Sequence, residues 1–191
     1  MHADSWAIKA KQQGLRSRAV FKLEEILQKT KALKKGTSNV LDIGSAPGGW
    51  SELIKALSPT SQIFAIDLLE MNSIEGVKFF QEDIINIDQI EEIFLLKNKF
   101  DLVISDLAPN LTGIRMVDEE NIFELNILTL ETAGNYLKQG NGSFIIKTFQ
   151  NSLLKKFRLQ MEKSFQLVQT YKPAASKSKS GEIYFYGVHP L

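Results

Sequence analysis

The sequence has no cysteine and only two histidines, which stand far apart at His2 and His189. Without thiols the chain can form neither a disulfide nor a thiolate nucleophile, and two distant imidazoles do not make a metal site. We therefore expect no bound metal, and we expect any acid–base chemistry to use Asp, Glu, Lys or Tyr.

Long apolar runs are missing as well. No stretch approaches the roughly 20 apolar residues that cross a bilayer, and the opening MHADSWAIKAKQQG lacks the apolar core of a secretory signal. We expect no membrane association and a cytoplasmic location of the bacterial type, or an organelle if a transit peptide has been removed. The length of 191 residues suits a single domain over 1–191.

The net charge of +1 conceals a strong asymmetry along the chain. Residues 1–36 contain nine Lys and Arg against three Asp and Glu, and residues 147–191 contain eight against two. The segment between them therefore carries a net charge of −11. Two basic ends favour a polyanionic partner, although clustered surface charge alone explains the same numbers.

Short apolar runs alternate with amphipathic stretches along the chain. The strand-like runs are residues 39–43, 62–66, 77–80, 101–105, 143–148, 166–171 and 182–188. The helix-like stretches are residues 17–30, 50–57, 88–96, 121–137 and 153–165. Such alternation is typical of a parallel sheet between helices, and the last two runs have no helix between them. The pattern predicts an α/β fold with a mostly parallel seven-stranded sheet, a C-terminal antiparallel hairpin and helices on both faces.

The turn after the first strand-like run gives the clearest local indication of a ligand. In VLDIGSAPGGWSELI, a strand leads into the small residues from Gly44 to Gly49, and a helix begins directly afterwards. Ligands of open α/β sheets bind at such turns, where small residues let the backbone come close. The proline and the missing second glycine depart from the dinucleotide fingerprint. An adenosine ligand without phosphate, S-adenosylmethionine, therefore fits this turn better than a nicotinamide dinucleotide.

Two carboxylates follow the next strands in the expected places. Asp67 ends the second strand-like run and can accept hydrogen bonds from ribose hydroxyls. Asp83 ends the third and can accept from an adenine amino group. Trp50, on the first turn of the predicted helix, either lines the pocket or belongs to the core. Each acid taken alone is also compatible with a turn or a helix cap.

Four charged residues stand where the pattern predicts burial: Asp106 in SDLAPN, Lys147 in FIIKTF, Glu182 in EIYFYG, and Lys22 beside the apolar stripe of the first helix. Buried charges persist when they are paired. Two lysines and two acids can form a structural ion-pair network or a reaction centre, and the residues alone leave both open.

Motifs over nearly the whole chain resemble the FtsJ/RrmJ-type 2′-O-ribose methyltransferases of ribosomal RNA. The matching stretches are GLRSRAVFKL, LDIGSAPGGWS, AIDLLEM, SDLAPNLTG, IIKTFQ and SGEIYF. The resemblance implies a Rossmann-like class I methyltransferase fold that uses S-adenosylmethionine. It implies a catalytic Lys-Asp-Lys-Glu tetrad at Lys22, Asp106, Lys147 and Glu182. The implied cofactor contacts are Gly48, Trp50, Asp67, Asp83 and Asp106.

The resemblance also implies a substrate and a reaction. A ribose 2′-hydroxyl of ribosomal RNA, in the large subunit, attacks the donor methyl in line, and the protein works as a monomer. A tRNA or mRNA-cap substrate, or a non-catalytic RNA-binding assembly factor of the same fold, is the alternative. An ordinary lysine is protonated at neutral pH, so the sequence leaves open whether Lys147 takes the hydroxyl proton or only orients the hydroxyl.

The two basic ends are the expected RNA contacts. The helical N-terminal extension, residues 1–36, and the late loop SKSKSGE contribute Lys9, Lys11, Arg16, Arg18, Lys177 and Lys179. The late loop carries Lys where relatives more often have Arg, which replaces a forked phosphate contact with a point charge.

Overall fold

The computed structural model describes residues 5–34, 36–176 and 180–191. In these residues seven strands form one sheet: β1 (Asn39–Ile43), β2 (Gln62–Asp67), β3 (Val77–Gln81), β4 (Leu102–Ser105), β5 (Ser143–Phe149), β6 (Phe165–Tyr171) and β7 (Glu182–Pro190). The order is β3-β2-β1-β4-β5-β7-β6. The first five strands are parallel, whereas β7 pairs antiparallel with both β5 and β6. The predicted seven-stranded sheet with a C-terminal antiparallel hairpin is confirmed.

The order of the strands creates a crevice between β1 and β4. The chain runs outward from β1 to β3, and then returns to the other side of β1 to build β4 and β5. The loops after β1 and β4 therefore leave in opposite directions, which opens a ligand site at the carboxyl ends of these strands. The turn after β1, from Gly44 to Gly49 and called the motif turn below, lies at this edge. The SDLAPN segment at the end of β4 lies there as well.

Helices cover both faces of the sheet. They are α1 (Ser5–Gln12), α2 (Ala19–Thr30), α3 (Gly49–Leu57), a 3-10 helix (Ile84–Gln89), α4 (Glu91–Phe94), α5 (Arg115–Tyr136) and α6 (Leu154–Ser164). Leu23 and Ile26 of α2 pack with Ile54 of α3 in the core on one face. Residues of α5 and α6 pack in the core on the other face, as Ala133 and Phe157 illustrate.

The prediction of one helix over residues 88–96 was wrong. The structure has a 3-10 helix followed by the four-residue helix α4 in this region. Ile84 and Ile87 are both buried at a spacing of three residues, which matches the three-residue period of a 3-10 helix. Helix α5 begins at Arg115, six residues before the predicted start at residue 121. Asp118 holds the loop before it, because its carboxylate accepts hydrogen bonds from the backbone N–H groups of Thr112 and Gly113.

Within the described part of the chain, no helix is both long enough and apolar enough to cross a bilayer.

Candidate active site

A cavity of about 560 Å³ opens at the carboxyl ends of β1, β2 and β4. This volume lies within the range of about 300–1,000 Å³ that is usual for small-molecule sites. Its wall combines apolar side chains with several carboxylates: Ile43, Ile66, Leu68, Leu69, Ile84, Ile85, Leu107, Asp67, Glu82, Asp83 and Asp106 line it, among others. The combination suits a ligand with an apolar ring and polar edges.

The charge of the wall decides which adenosine ligand fits. Four acidic residues line the cavity, and none of its described lining residues is Lys, Arg or His. A dinucleotide would bring its pyrophosphate next to carboxylates, with no cation to compensate. S-adenosylmethionine carries a positively charged sulfonium and ammonium instead, so this donor set fits it.

Asp67 and Asp83 lie at the cavity and also hold its walls. Asp67 accepts from the backbone N–H of Ala46 and of Leu69, both at 2.8 Å, and so connects the motif turn to the end of β2. Each of its oxygens keeps a second lone pair for a ligand. Asp83 lies two residues beyond the end of β3 rather than on the strand, and it caps the 3-10 helix by accepting from Ile85.

Gly48 and Trp50 do not line this cavity. Gly48 has a φ of +101°, a left-handed conformation that residues with a side chain rarely adopt, so glycine suits this turn. The Trp50 side chain is buried in the core, where its indole N–H donates to the carbonyl of Ala19 at 2.9 Å. Their assignment as cofactor contacts stays a prediction.

Asp42 and Ser45 are buried polar residues beneath the motif turn. Asp42 is fully buried and accepts from the Ser51 hydroxyl at 2.7 Å, whereas its second oxygen, Oδ1, has no partner among the described residues. The Ser45 hydroxyl has no partner there either. Burial, with the negative charges of Asp106 and Asp67 adding to it, raises the pKa of Asp42 to about 7, although Ser51 opposes the shift. Asp42 was not among the site residues predicted from the sequence, since no local pattern shows which distant residues surround it.

Lys147 and Asp106 meet at the rim of the cavity. Lys147 Nζ lies 3.2 Å from Asp106 Oδ1 and also donates to the backbone carbonyl of Asp106. The lysine is 8% exposed, and the Asp106 side chain keeps 23% exposure towards the crevice. Parallel pairing of β4 with β5 brings the two residues together.

Lys22 and Glu182 form a second ion pair beside the first. Lys22 Nζ lies 2.7 Å from Glu182 Oε1, and the same oxygen accepts from the Ser176 hydroxyl at 3.0 Å. Burial acts to raise the pKa of Glu182, but the Lys22 ammonium outweighs it, and the pKa is lowered overall. Glu182 therefore remains ionised at neutral pH.

Tyr184 connects the two ion pairs. Its hydroxyl lies 3.1 Å from Asp106 Oδ1 and 3.2 Å from Glu182 Oε1. The single O–H donor is therefore shared between the two carboxylates. Burial and then the two negative charges raise the pKa of Tyr184 well above its usual value, which keeps the hydroxyl protonated. On the antiparallel pair Tyr184 lies directly opposite Lys147. Tyr184 was not among the residues predicted from the sequence, although its spacing of two from Glu182 places both on one face of a strand.

Two of the predicted RNA-contact residues, Arg16 and Lys9, contact other parts of the protein. Arg16 donates to the carbonyls of Pro47, Asn72 and Ser73 at 2.9–3.2 Å, so it braces the motif turn. Lys9 lies over the rings of Trp6 and Phe21, at 5.2 and 4.7 Å from their centres.

The remaining four residues of the predicted RNA contacts divide into two groups. Lys11 is exposed, and Arg18 donates to the carbonyl of Ala175 at 3.4 Å. Lys177 and Lys179 lie outside the described residues.

No cluster of His, Asp and Glu that could hold a metal ion occurs within the described ranges.

Comparison with known proteins gives a consistent result. The family model described as FtsJ-like methyltransferase matches residues 15–189. The ribosomal RNA large subunit methyltransferase E of Neisseria gonorrhoeae is 42% identical over 187 residues, covering 96% of this chain and 90% of its own. A Plasmodium falciparum structure described as a ribosomal RNA methyltransferase superimposes with a TM-score of 0.80 at 30% identity, over 92% of this chain and 98% of that one. Human methyltransferase-like protein 13 in complex with SAH shares the fold, with a TM-score of 0.59 at 14% identity over 89% and 77%.

Proposed function

Because the chain belongs to the FtsJ-like methyltransferase family, we propose that it methylates a ribose 2′-hydroxyl of large-subunit ribosomal RNA. The family makes it an RNA methyltransferase that uses S-adenosylmethionine. The choice of the ribose oxygen is supported above all by one observation, the contact of Lys147 with Asp106 at the rim of the acidic cavity. A 2′-hydroxyl is weakly acidic, and a reaction at it calls for groups that hold the oxygen and receive its proton.

The acidic cavity would hold the cofactor. Asp67 and Asp83 would accept hydrogen bonds from its ribose and adenine, with apolar side chains such as Leu68 and Ile85 around the ring. When bound, S-adenosylmethionine supplies an electrophilic methyl group on a positively charged sulfur. Asp106, at the rim, joins this cavity to the ion pairs.

Lys147 would act on the substrate hydroxyl. The substrate oxygen would take the methyl group that the bound cofactor supplies, which leaves a neutral thioether. The hydroxyl proton would pass to Lys147 Nζ in its neutral amine form, after the lysine has released its own proton to solvent. Asp106 fixes the position of Nζ through both its carboxylate and its carbonyl. General-base assistance of this kind contributes about 10²–10⁴-fold.

Lys22, Glu182 and Tyr184 would orient the ribose. Glu182 Oε1 is held by three donors, so the carboxylate cannot rotate freely. A fixed geometry matters because displacement requires the attacking oxygen in line with the bond that breaks, and small misplacements are costly in rate.

The Tyr184 hydroxyl provides a first test of this positioning. We expect Tyr184→Phe to lower kcat by roughly 10–100-fold, since a hydrogen bond to a charged group is worth about 1.5–3 kcal/mol. The KM for the methyl donor should change little, because Tyr184 does not line the cofactor cavity.

Tyr186→Phe is the matched control for Tyr184. Tyr186 lies two residues along β7 on the same face, and we expect this variant to retain wild-type kcat. Equal rates for the Tyr184 and Tyr186 variants would show that the bridging hydroxyl has no part in the reaction.

The choice of cofactor gives a second test. S-adenosylmethionine at about 100 times its Kd should raise the free energy of unfolding by about 2.7 kcal/mol, whereas NAD should leave it unchanged. Thermal unfolding with each ligand measures the difference. Stabilisation by NAD would contradict the argument from the acidic wall.

RNA contacts would involve both basic ends of one methyltransferase domain, residues 1–191. Residues 1–36 and the late loop with Lys177 and Lys179 would bind phosphates, while Arg16 acts within the fold by bracing the motif turn. We propose that the protein acts as a monomer in the cytoplasm, where its ribosomal substrate is made.

Labelled methyl transfer tests the proposed function directly. Large ribosomal subunits from cells that lack this activity, free tRNA and capped mRNA are incubated separately with labelled methyl donor. We expect label only in the large-subunit RNA, and in dinucleotides that resist alkaline hydrolysis, because a methylated 2′-oxygen cannot attack the adjacent phosphate. Label in alkali-sensitive nucleotides would indicate base methylation, and label in tRNA or capped mRNA would move the substrate there. Absence of label from all three would indicate a non-catalytic factor.

A further inference from the structure

A second cavity, of about 320 Å³, lies at the opposite end of the strands from the candidate active site. The end of α2 and the turn after it form one wall, and the start of β5 with the adjoining parts of β6 and β7 form the other. Three lysines line it, Lys29, Lys31 and Lys34, together with His189, Gln169 and Ser143. None of its described lining residues is acidic.

The cavity and the active site lie on the same face of the sheet. On the paired strands, Lys147 is opposite Tyr184, Ile145 is opposite Tyr186, and Ser143 is opposite Val188. Side chains two residues apart on a strand share a face, so this row leads from the reaction centre to the second cavity. The helix α2 runs beside it, with Lys22 at one end and Lys31 just beyond the other.

Two independent lengths give the distance between the reaction centre and the second cavity. Four residues of β5, from Lys147 to Ser143, span about 13 Å at 3.3 Å each. Nine residues of α2, from Lys22 to Lys31, also span about 13 Å at 1.5 Å each. At the rise of about 3.4 Å per nucleotide of a stacked strand, an RNA strand covers this distance in about four nucleotides.

The lysines of this cavity retain positive charge for a ligand. The ammonium group of Lys31 makes no hydrogen bond or ion pair within the described residues. Lys34 donates only to the neutral oxygens of Asn141, at 2.7 and 2.8 Å, and Lys29 alone is paired with a carboxylate, that of Glu25. The negative end of α2 contributes only about half a charge, so neutralising the helix end does not account for three lysines.

The backbone around the cavity is also unusual. Three described non-glycine residues have positive φ, and two of them, Lys31 at +55° and His189 at +57°, line this cavity. Lysine in the left-handed region is less favourable than glycine or asparagine, which helix ends usually place there. The left-handed conformation of Lys31 ends α2, with its N–H donating to the carbonyl of Leu27 at 2.9 Å, and it places a lysine at the cavity where helix ends more often have glycine.

We propose that this cavity binds phosphate groups of the RNA backbone about four stacked nucleotides away from the methylated ribose. The inference rests on the proposed function for the nature of the polyanion. It goes beyond that function by assigning one part of the basic N-terminal segment, the far end of α2, to a separate cavity outside the reaction centre. A remote phosphate contact would set the register of the RNA strand without touching the reacting ribose.

The test uses a pair of double variants that each remove the same charge. Lys29→Gln with Lys31→Asn removes two positive charges from the cavity, and Asn suits the left-handed backbone at position 31. Lys99→Gln with Lys163→Gln removes two charges from exposed positions elsewhere. The probe is a 20-nucleotide single-stranded RNA, and its affinity is measured by fluorescence anisotropy over a series of salt concentrations.

We expect the cavity variant to bind the RNA roughly tenfold more weakly, with a salt dependence shallower by about 0.7 for each phosphate that the cavity no longer binds. Its kcat for methylation of large ribosomal subunits should remain at the wild-type value while KM rises, and the control variant should match wild type. An unchanged salt dependence in the cavity variant, or an equally weakened affinity in the control, would overturn the proposal. Because RNA binding is measured without turnover, failure of the methylation assay alone would affect the proposed function and not this site.

Discussion

Lys147→Ala is expected to slow methyl transfer by about 10²–10⁴-fold, while the affinity for S-adenosylmethionine stays close to that of the wild type. The reason is the geometry at the rim: Lys147 Nζ contacts Asp106, but Lys147 does not line the acidic cavity proposed for the cofactor. Single-turnover rates with large ribosomal subunits measure the first quantity, and calorimetric titration of the cofactor measures the second.

Lys147→Arg separates the two roles that remain for this residue. A guanidinium keeps the positive charge and donates hydrogen bonds, but it cannot accept a proton near neutral pH. If Lys147 takes the hydroxyl proton, the Arg variant should be as slow as the Ala variant. If it only orients the hydroxyl, the Arg variant should retain a substantial part of the rate.

Lys138→Ala is the matched control for this experiment. Lys138 pairs with the buried Asp101 at 2.7 Å, so it forms the same kind of Lys–Asp contact, and it lies just before β5 at the other end of the sheet. We expect this substitution to leave single-turnover rates unchanged. A Lys147→Ala enzyme that retained its rate within a few-fold would rule out a general-base role.

Asp42→Asn is expected to change how the stability of the protein depends on pH. The pKa of Asp42 is about 7 in the folded chain and 3.8 as its ordinary value, so between these values the folded state holds a proton that the unfolded state has lost. The contribution of Asp42 to stability is therefore complete below about pH 4 and is lost as the pH rises through 7. Asparagine resembles the protonated form and has no such dependence.

The size of the change in stability follows from the difference between the folded and the ordinary pKa of Asp42. Between pH 5 and pH 8, the stability of Asp42→Asn relative to wild type should increase by about 3 kcal/mol. Denaturant unfolding at several pH values, without methyl donor, measures the difference. Ser51→Ala should extend the pH dependence of the otherwise wild-type chain to higher pH, because loss of the Ser51 hydrogen bond raises the pKa of Asp42 further. Parallel stability profiles for wild type and Asp42→Asn would contradict the assignment.

Much of the fold could be predicted because it depends on neighbours along the chain. Apolar runs mark β1 and the other buried strands, and each lies within a residue or two of its predicted position. The region after β3 was mispredicted, because a helical period of 3.6 and a 3-10 period of three are hard to separate over two turns. Asp83 illustrates the same limit, since its role as a cap depends on the helix that follows it.

The sequence by itself determined the α/β class, the turn from Gly44 to Gly49 and the identity of the four charged residues, because each is written in a short pattern or motif. Only the tertiary structure decided how these charges are paired. The insertion of β7 between β5 and β6 sets Tyr184 opposite Lys147 and brings Glu182 to Lys22, which is 160 positions earlier in the chain. Contacts between residues so far apart depend on the order of the strands in the sheet, and no local pattern encodes that order.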